Sequence, residues 1–119
     1  MHNYQELKVW QKAIELAKSI YEVTANFPGE EKFGLTSQVR RSSVSIASNI
    51  AEGAGRNSNK DFAHFLSIAA GSTFELETQM IIAKEISFLT QDKYEALQSE
   101  IESIKKMLYS LRNTLNQKS

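Results

Sequence analysis

Asp61-Phe62-Ala63-His64 sets a carboxylate and an imidazole three residues apart, on one face of a helix. That is half of what a di-metal helical bundle uses. Such a centre also needs a glutamate from each of two helices and a second Glu-x-x-His pair, all turned inward. Here there is one copy, with the shorter carboxylate, and the other histidine, His2, lies at the N-terminus. His64 therefore reads as a surface histidine. Glu75 and Glu77 are two residues apart, so on a helix they diverge by about 200° and cannot share a proton for acid–base work. Glu52 and Glu75 are the more informative pair, because Asn49 stands beside one and Ser72 beside the other. These four residues predict a buried hydrogen-bond network between two helices, a structural role. The sequence predicts no catalytic residue, no metal, no cofactor and no small-molecule substrate.

Gly53-Ala54-Gly55-Arg56-Asn57-Ser58-Asn59-Lys60 has the glycines and the following helix start that could admit a phosphate, but not the spacing of a nucleotide-binding fingerprint. A helix end followed by a turn accounts for the glycines. Arg56 and Lys60 remain candidates for backbone phosphate contacts. Arg40 and Arg41 point to different sides of their helix and could touch nucleic acid or form ion pairs between subunits. Fourteen basic residues balance fourteen acidic ones, so the whole chain has no field that would gather nucleic acid. The charges are unevenly spread, however. Between residues 37 and 60, Arg40, Arg41, Arg56 and Lys60 face Glu52 alone; between 61 and 90, Lys84 alone faces Asp61, Glu75, Glu77 and Glu85.

The elements that must position these residues are helices. One proline in 119 residues and few β-branched runs favour them. Asn26-Phe27-Pro28-Gly29 ends a first periodic segment, Thr36 can cap a second that stops at Gly53 and Gly55, Ser58 to Asp61 resembles a capping box, and Thr90 and Asp92 open a fourth. The spacing predicts helices near 7–25, 36–53, 59–89 and 91–116 in an all-α, antiparallel, up-down-up-down bundle, one domain over 1–119. The absence of cysteine excludes disulfides and thiolate metal sites. No stretch reaches the roughly 18 apolar residues of a membrane span, and the first dozen residues lack a secretory signal pattern. A cytoplasmic protein without a membrane partner is the expectation.

The first helix carries apolar residues over an arc of about 200°, including Val9, Trp10 and Leu16, where one bundle needs a stripe only somewhat wider than ~100°. The second is rich in serine and alanine. The third has two apolar seams, and the second of these runs through Ala63, Ala70, Phe74, Ile81 and Phe88. Gly71, inside that helix, suggests a close helix contact. The surplus predicts self-association through these eight side chains. The alternative is an irregular bundle that hides both seams within one chain.

Leu7-x-Val9-Trp10-Gln11-x-Ala13, Asn26-Phe27-Pro28, Gly34-Leu35-Thr36-x-Gln38-Val39-Arg40-Arg41, Ser45-Ile46-x-x-Asn49-Ile50-Ala51-Glu52-Gly53, Asp61-Phe62 and Gly71-Ser72-x-x-Glu75-Leu76-Glu77 together resemble one bacterial family. It is the family of four-helix bundles named for proteins encoded in intervening sequences of 23S ribosomal RNA genes. The resemblance implies an up-down-up-down bundle and a cyclic homo-oligomer, a pentamer. It also brings in a relative, the accessory protein of diversity-generating retroelements, a barrel-shaped pentamer that binds nucleic acid and a reverse transcriptase. Carried over by position, it leaves Arg40, Arg41, Arg56 and Lys60 as contacts to structured RNA or to a nucleic-acid enzyme. The function expected is a non-enzymatic oligomeric scaffold with weak RNA contact; the rival is a scaffold that binds protein alone.

Overall fold

The computed structural model describes residues 2–118. Four helices fill most of the chain: α1 (Lys8–Thr24), α2 (Leu35–Ala54), α3 (Asn59–Glu85) and α4 (Gln91–Lys118). Short 3-10 turns at Tyr4–Glu6 and Gly29–Glu31 precede the first two. Each helix packs on its neighbours in sequence, α1 closes onto α4, and α1 and α3 stand across the diagonal of the bundle. The partners across each seam run in opposite senses. Ser42 meets Glu75 while Ser45 meets Ser72, and Gly53 lies against Phe62 and Phe65. Lys84 lies over Tyr94 while Glu77 meets Lys105. The result is the antiparallel four-helix bundle that the periodicity predicts.

One core runs its length. Val9, Ala13, Leu16 and Ile20 of α1, Val39, Ile46 and Ile50 of α2, Phe62, Leu66, Leu76 and Met80 of α3, and Leu97, Ile101, Ile104 and Leu108 of α4 are all buried. The i, i+3, i+4, i+7 spacing that brings them inward is the signature of a buried helix stripe. Phe27, from the turn before Pro28, folds back into this core and meets Phe88 at 5.5 Å between ring centroids, closing one end.

Local chemistry sets the helix ends. Ser58 Oγ accepts from the Asp61 N–H at 3.1 Å, and Thr90 Oγ1 from the Lys93 N–H at 3.3 Å, so both expected caps are made. Thr36 does not cap α2. Glu31 Oε1 accepts from the Leu35 N–H at 3.0 Å instead, which starts the helix earlier and leaves Thr36 buried in its first turn. α3 ends at Glu85, four residues before the expected position. The Phe88 N–H bonds to Ala83 O and the Ser87 N–H to Lys84 O, which is a Schellman stop, with Ser87 in the left-handed region at φ 67°. A left-handed conformation costs a non-glycine residue roughly 1–2 kcal/mol. Part of that gain is returned through the larger freedom of glycine in the unfolded chain. Ser87→Gly is therefore expected to stabilise the fold by about 0.5–1 kcal/mol, read from the midpoint of urea unfolding.

The α1–α4 seam holds a partly buried carboxylate. Glu100 is half-buried there and accepts from Ser19 Oγ at 3.5 Å. Burial raises its carboxyl above the ordinary 4.5, the Ser19 hydrogen bond and Lys12 oppose this, and the nearby Glu15 and Glu22 add to it. The folded state therefore prefers the protonated acid. Its favourable contribution is complete below the unfolded pKa and is lost as pH rises through the raised folded value. Glu100→Gln is expected to be more stable than the parent at pH 7, with the advantage disappearing below pH 4.5. Thermal unfolding across pH checks this.

Candidate functional site

Two surfaces stand out because they keep apolar side chains in water. The first is the arc of α3 turned away from the core, which spans about 140° and carries Ile68, Phe74, Ile81 and Ile82 around Gly71 and Thr78. Phe74 is 56% exposed and Ile81 43%. A helix with apolar residues on every side is ordinarily buried on every side. The second is a groove of about 290 Å³ between α1 and α2, with Trp10, Ile14 and Val44 as walls and Ala17, Ser48 and Ala51 as a low floor. Trp10 is held edge-on against Tyr4 at 5.2 Å. Because α1 and α3 stand across the diagonal of the bundle, ridge and groove face different sides of it.

The eight side chains expected at an interface divide. Phe74 and Ile81 are exposed, and Trp10, Ala70 and Phe88 are half-buried against the core. Val9, Leu16 and Ala63 must be removed from the set, since all three are buried in the chain's own core. Val9 and Leu16 are seven residues apart, on the same inward stripe as Ala13 and Ile20. Ile68, Ile82, Ile14 and Val44 were not anticipated.

The α2–α3 polar seam is present with a different membership. Ser45 Oγ and Ser72 Oγ are 2.9 Å apart, and Asn49 Nδ2 donates to Ser45 Oγ at 3.0 Å and to Ser45 O at 2.8 Å. Ser42 Oγ donates to Glu75 Oε1 at 2.7 Å. Glu52 takes no part. It accepts from Arg56, one turn on, at 2.8 Å, because the i, i+4 partner is nearer than anything on α3. Ser42 and Ser45 supply the links that the sequence did not single out.

The four cations expected to meet nucleic acid do not share one patch. Arg40 bonds through Nε to Thr24 Oγ1 at 2.8 Å and lies 4.5 Å over the Tyr21 ring, holding the end of α1. Arg41 is exposed beside it and has no partner among the described residues. Arg56 is paired with Glu52 and stacks 4.7 Å over Phe65; Lys60 is exposed. α2 runs about 21 Å from Arg40 to its end at Ala54, and Arg56 lies beyond that end, so the two groups stand at opposite ends of the helix. His64 is exposed beside Phe65, and among the described residues no three His, Cys, Asp or Glu side chains gather as a metal site. Gly71 has nothing within 4 Å of the position its Cβ would occupy, so the close contact inferred for it does not exist within the chain.

A further cationic stretch went unanticipated. After Glu102, α4 carries Lys105, Lys106, Arg112 and Lys118 with no carboxylate. The first three line a groove of about 320 Å³ against Ala70, Phe74 and Tyr109. Lys105 is committed: its Nζ lies 2.9 Å from Glu102 and 3.3 Å from Glu77, whose carboxylate also accepts from Gln98. The Glu102 hydrogen bond holds the ammonium above its usual range, and the same bond lowers Glu102. Lys106 and Arg112 have no such partner among the described residues. Charge clustering after residue 102 was the signal available, masked by the neutrality of the whole chain.

A solved structure of a protein of unknown function from the S23 ribosomal protein family of Bacteroides thetaiotaomicron VPI-5482 superposes with a TM-score of 0.79. It is 29% identical, over 87% of this chain and 97% of that one. No curated protein matches. No helix among the described residues is long and apolar enough to cross a membrane. The family model for the 23S rRNA-intervening sequence protein matches residues 5–110, nearly the whole bundle, and the chain belongs to that family.

Proposed function

We propose that this chain acts as a non-catalytic scaffold assembled from copies of itself, with the α3 ridge of one copy seated in the α1–α2 groove of the next. The observation that carries this reading is the exposed apolar arc of α3 around Phe74 and Ile81. Large apolar side chains left clustered in water ordinarily mark an interface. A second copy is the fitting occupant because the chain itself offers the complement: a bulky ridge on one side and a groove floored by alanine and serine on another. Two unlike faces on different sides make a heterologous contact, which closes into a ring when the rotation between neighbours permits. The ring of five implied by family resemblance is of this kind. Repetition around an axis multiplies weak contacts through avidity.

Light scattering of the purified protein at micromolar concentration tests the reading. The expected mass is several times the 13.4 kDa of one chain, and about five times for the ring. A mass of one chain refutes the scaffold. RNA contact is a separate part of the reading, supported by the exposure of Arg41 and Lys60. It predicts binding that weakens steeply with salt. Binding of protein partners without RNA at low salt would leave a protein-only scaffold.

A further inference from the structure

We infer that the outer surface where the connection from α1 enters α2 is a binding site for a nucleoside phosphate. This rests on the RNA-contact part of the reading above, which it deepens, and is independent of self-association. A cavity of about 460 Å³ opens there, lined by Tyr21, Lys32, Phe33, Arg40 and Arg41 with Ser37 beside them. Phe33 is 90% exposed, the most exposed large apolar side chain of the described residues. Tyr21 is also exposed, and Arg40, held by its bond to Thr24, covers one face of the ring at 4.5 Å and leaves the other open. Two aromatic faces at one opening offer a platform on which any base can stack.

The charges complete the match. Three cations line the cavity, and no carboxylate does. Arg41 has no partner among the described residues, and Lys32 meets only the Phe33 ring, at 5.5 Å. The nearest acid in sequence, Glu31, is already engaged by the Leu35 N–H. A ligand with a flat ring and a phosphate satisfies both halves: the ring lies on Phe33 and Tyr21, and the phosphate meets Arg41 and Lys32. The same chemistry is presented by a free nucleotide and by an unpaired nucleotide in RNA.

The test titrates a fluorescently labelled ten-nucleotide uridine RNA by anisotropy, and UMP and AMP by calorimetry, at low salt. Phe33→Ala is expected to weaken RNA binding about tenfold while leaving its salt dependence unchanged. Arg41→Ala is expected to weaken binding and to lower the salt slope by about one. Both side chains are exposed, so circular dichroism should show an unchanged helical fold. Binding of UMP or AMP alone identifies a free nucleotide as the ligand; binding of the oligonucleotide alone identifies an RNA strand. Equal binding by parent and both variants overturns the site, as does absence of binding by all three probes. If Phe33→Ala changes the mass of the assembly and leaves nucleotide binding untouched, Phe33 is an intersubunit contact and the inference fails. Repeating the titration on a chain carrying Phe74→Glu and Ile81→Glu separates this site from self-association, because neither residue lines the cavity.

Discussion

Phe74→Glu combined with Ile81→Glu is expected to turn the assembly into single folded chains. Both side chains stand on the outward arc of α3, so the free bundle can accept a carboxylate at either position. At Phe74 the new acid would even find Lys105, whose ammonium now lies 4.9 Å from the ring. Between two copies the outcome is different. A carboxylate at position 81 seated on Ile14 and Val44 of the neighbour would lose its water and gain no partner. An uncompensated buried charge costs about 3–5 kcal/mol, and each 1.4 kcal/mol is tenfold in affinity, so one substitution should weaken the contact more than a hundredfold. Light scattering at matched concentration reads the mass, and circular dichroism checks that the helices persist. A double variant that keeps the parent's mass would exclude the α3 ridge as the contact. The converse experiment places glutamate at Ala17, on the floor of the α1–α2 groove, and should give the same monomer if the contact is head to tail.

How far the sequence could be read depended on the range of each signal. Caps at Ser58 and Thr90 are local, since the side chain and the N–H it accepts are three residues apart, and both were legible. The stop after Glu85 was not, because a left-handed position ordinarily announces itself by glycine or asparagine and here is held by Ser87. Apolar spacing identified the core stripe of α1 but not which flank of its wide arc faces inward. Val9 and Leu16 went to the core, and Ile14 was left outside. Glu52 illustrates a competition that composition cannot settle. The same carboxylate had candidates on α3 and one turn along its own helix, and the nearer cation prevailed. Basic residues close in sequence did not become close in space, because about 21 Å of α2 lies between Arg40 and the helix end that precedes Arg56.

The two glycines inside helices exchange the roles that sequence suggests for them, and this yields the sharpest stability prediction. Gly53 and Gly55 read as the helix stop, and α2 does end at Ala54 with Gly55 as its cap, but the left-handed freedom of neither glycine is used. What matters at Gly53 is the missing Cβ. One built there would lie 2.7 Å from Phe65 Cβ, 2.9 Å from Phe62 Cδ1 and 3.2 Å from Phe62 O. Carbon atoms pack at about 3.5–4.0 Å. The Phe62 ring can turn aside, but Phe65 Cβ and Phe62 O are fixed to the backbone of α3, so the two helices must separate at their closest crossing. Alanine gains about 1 kcal/mol over glycine in a helix interior, and overpacking costs typically 1–3 kcal/mol or more. Because the obstruction is backbone, the cost should prevail: Gly53→Ala is expected to destabilise the bundle by about 1–2 kcal/mol, and Gly53→Val by more. Gly71→Ala is the counterpart. With nothing within 4 Å, the single chain should gain up to about 1 kcal/mol from the same change. Chemical denaturation of the Phe74→Glu, Ile81→Glu background, with each glycine replaced in turn, reads both effects without the contribution of self-association. Opposite signs at the two positions are required; a stabilising Gly53→Ala would mean that the α2–α3 crossing yields more easily than its geometry allows.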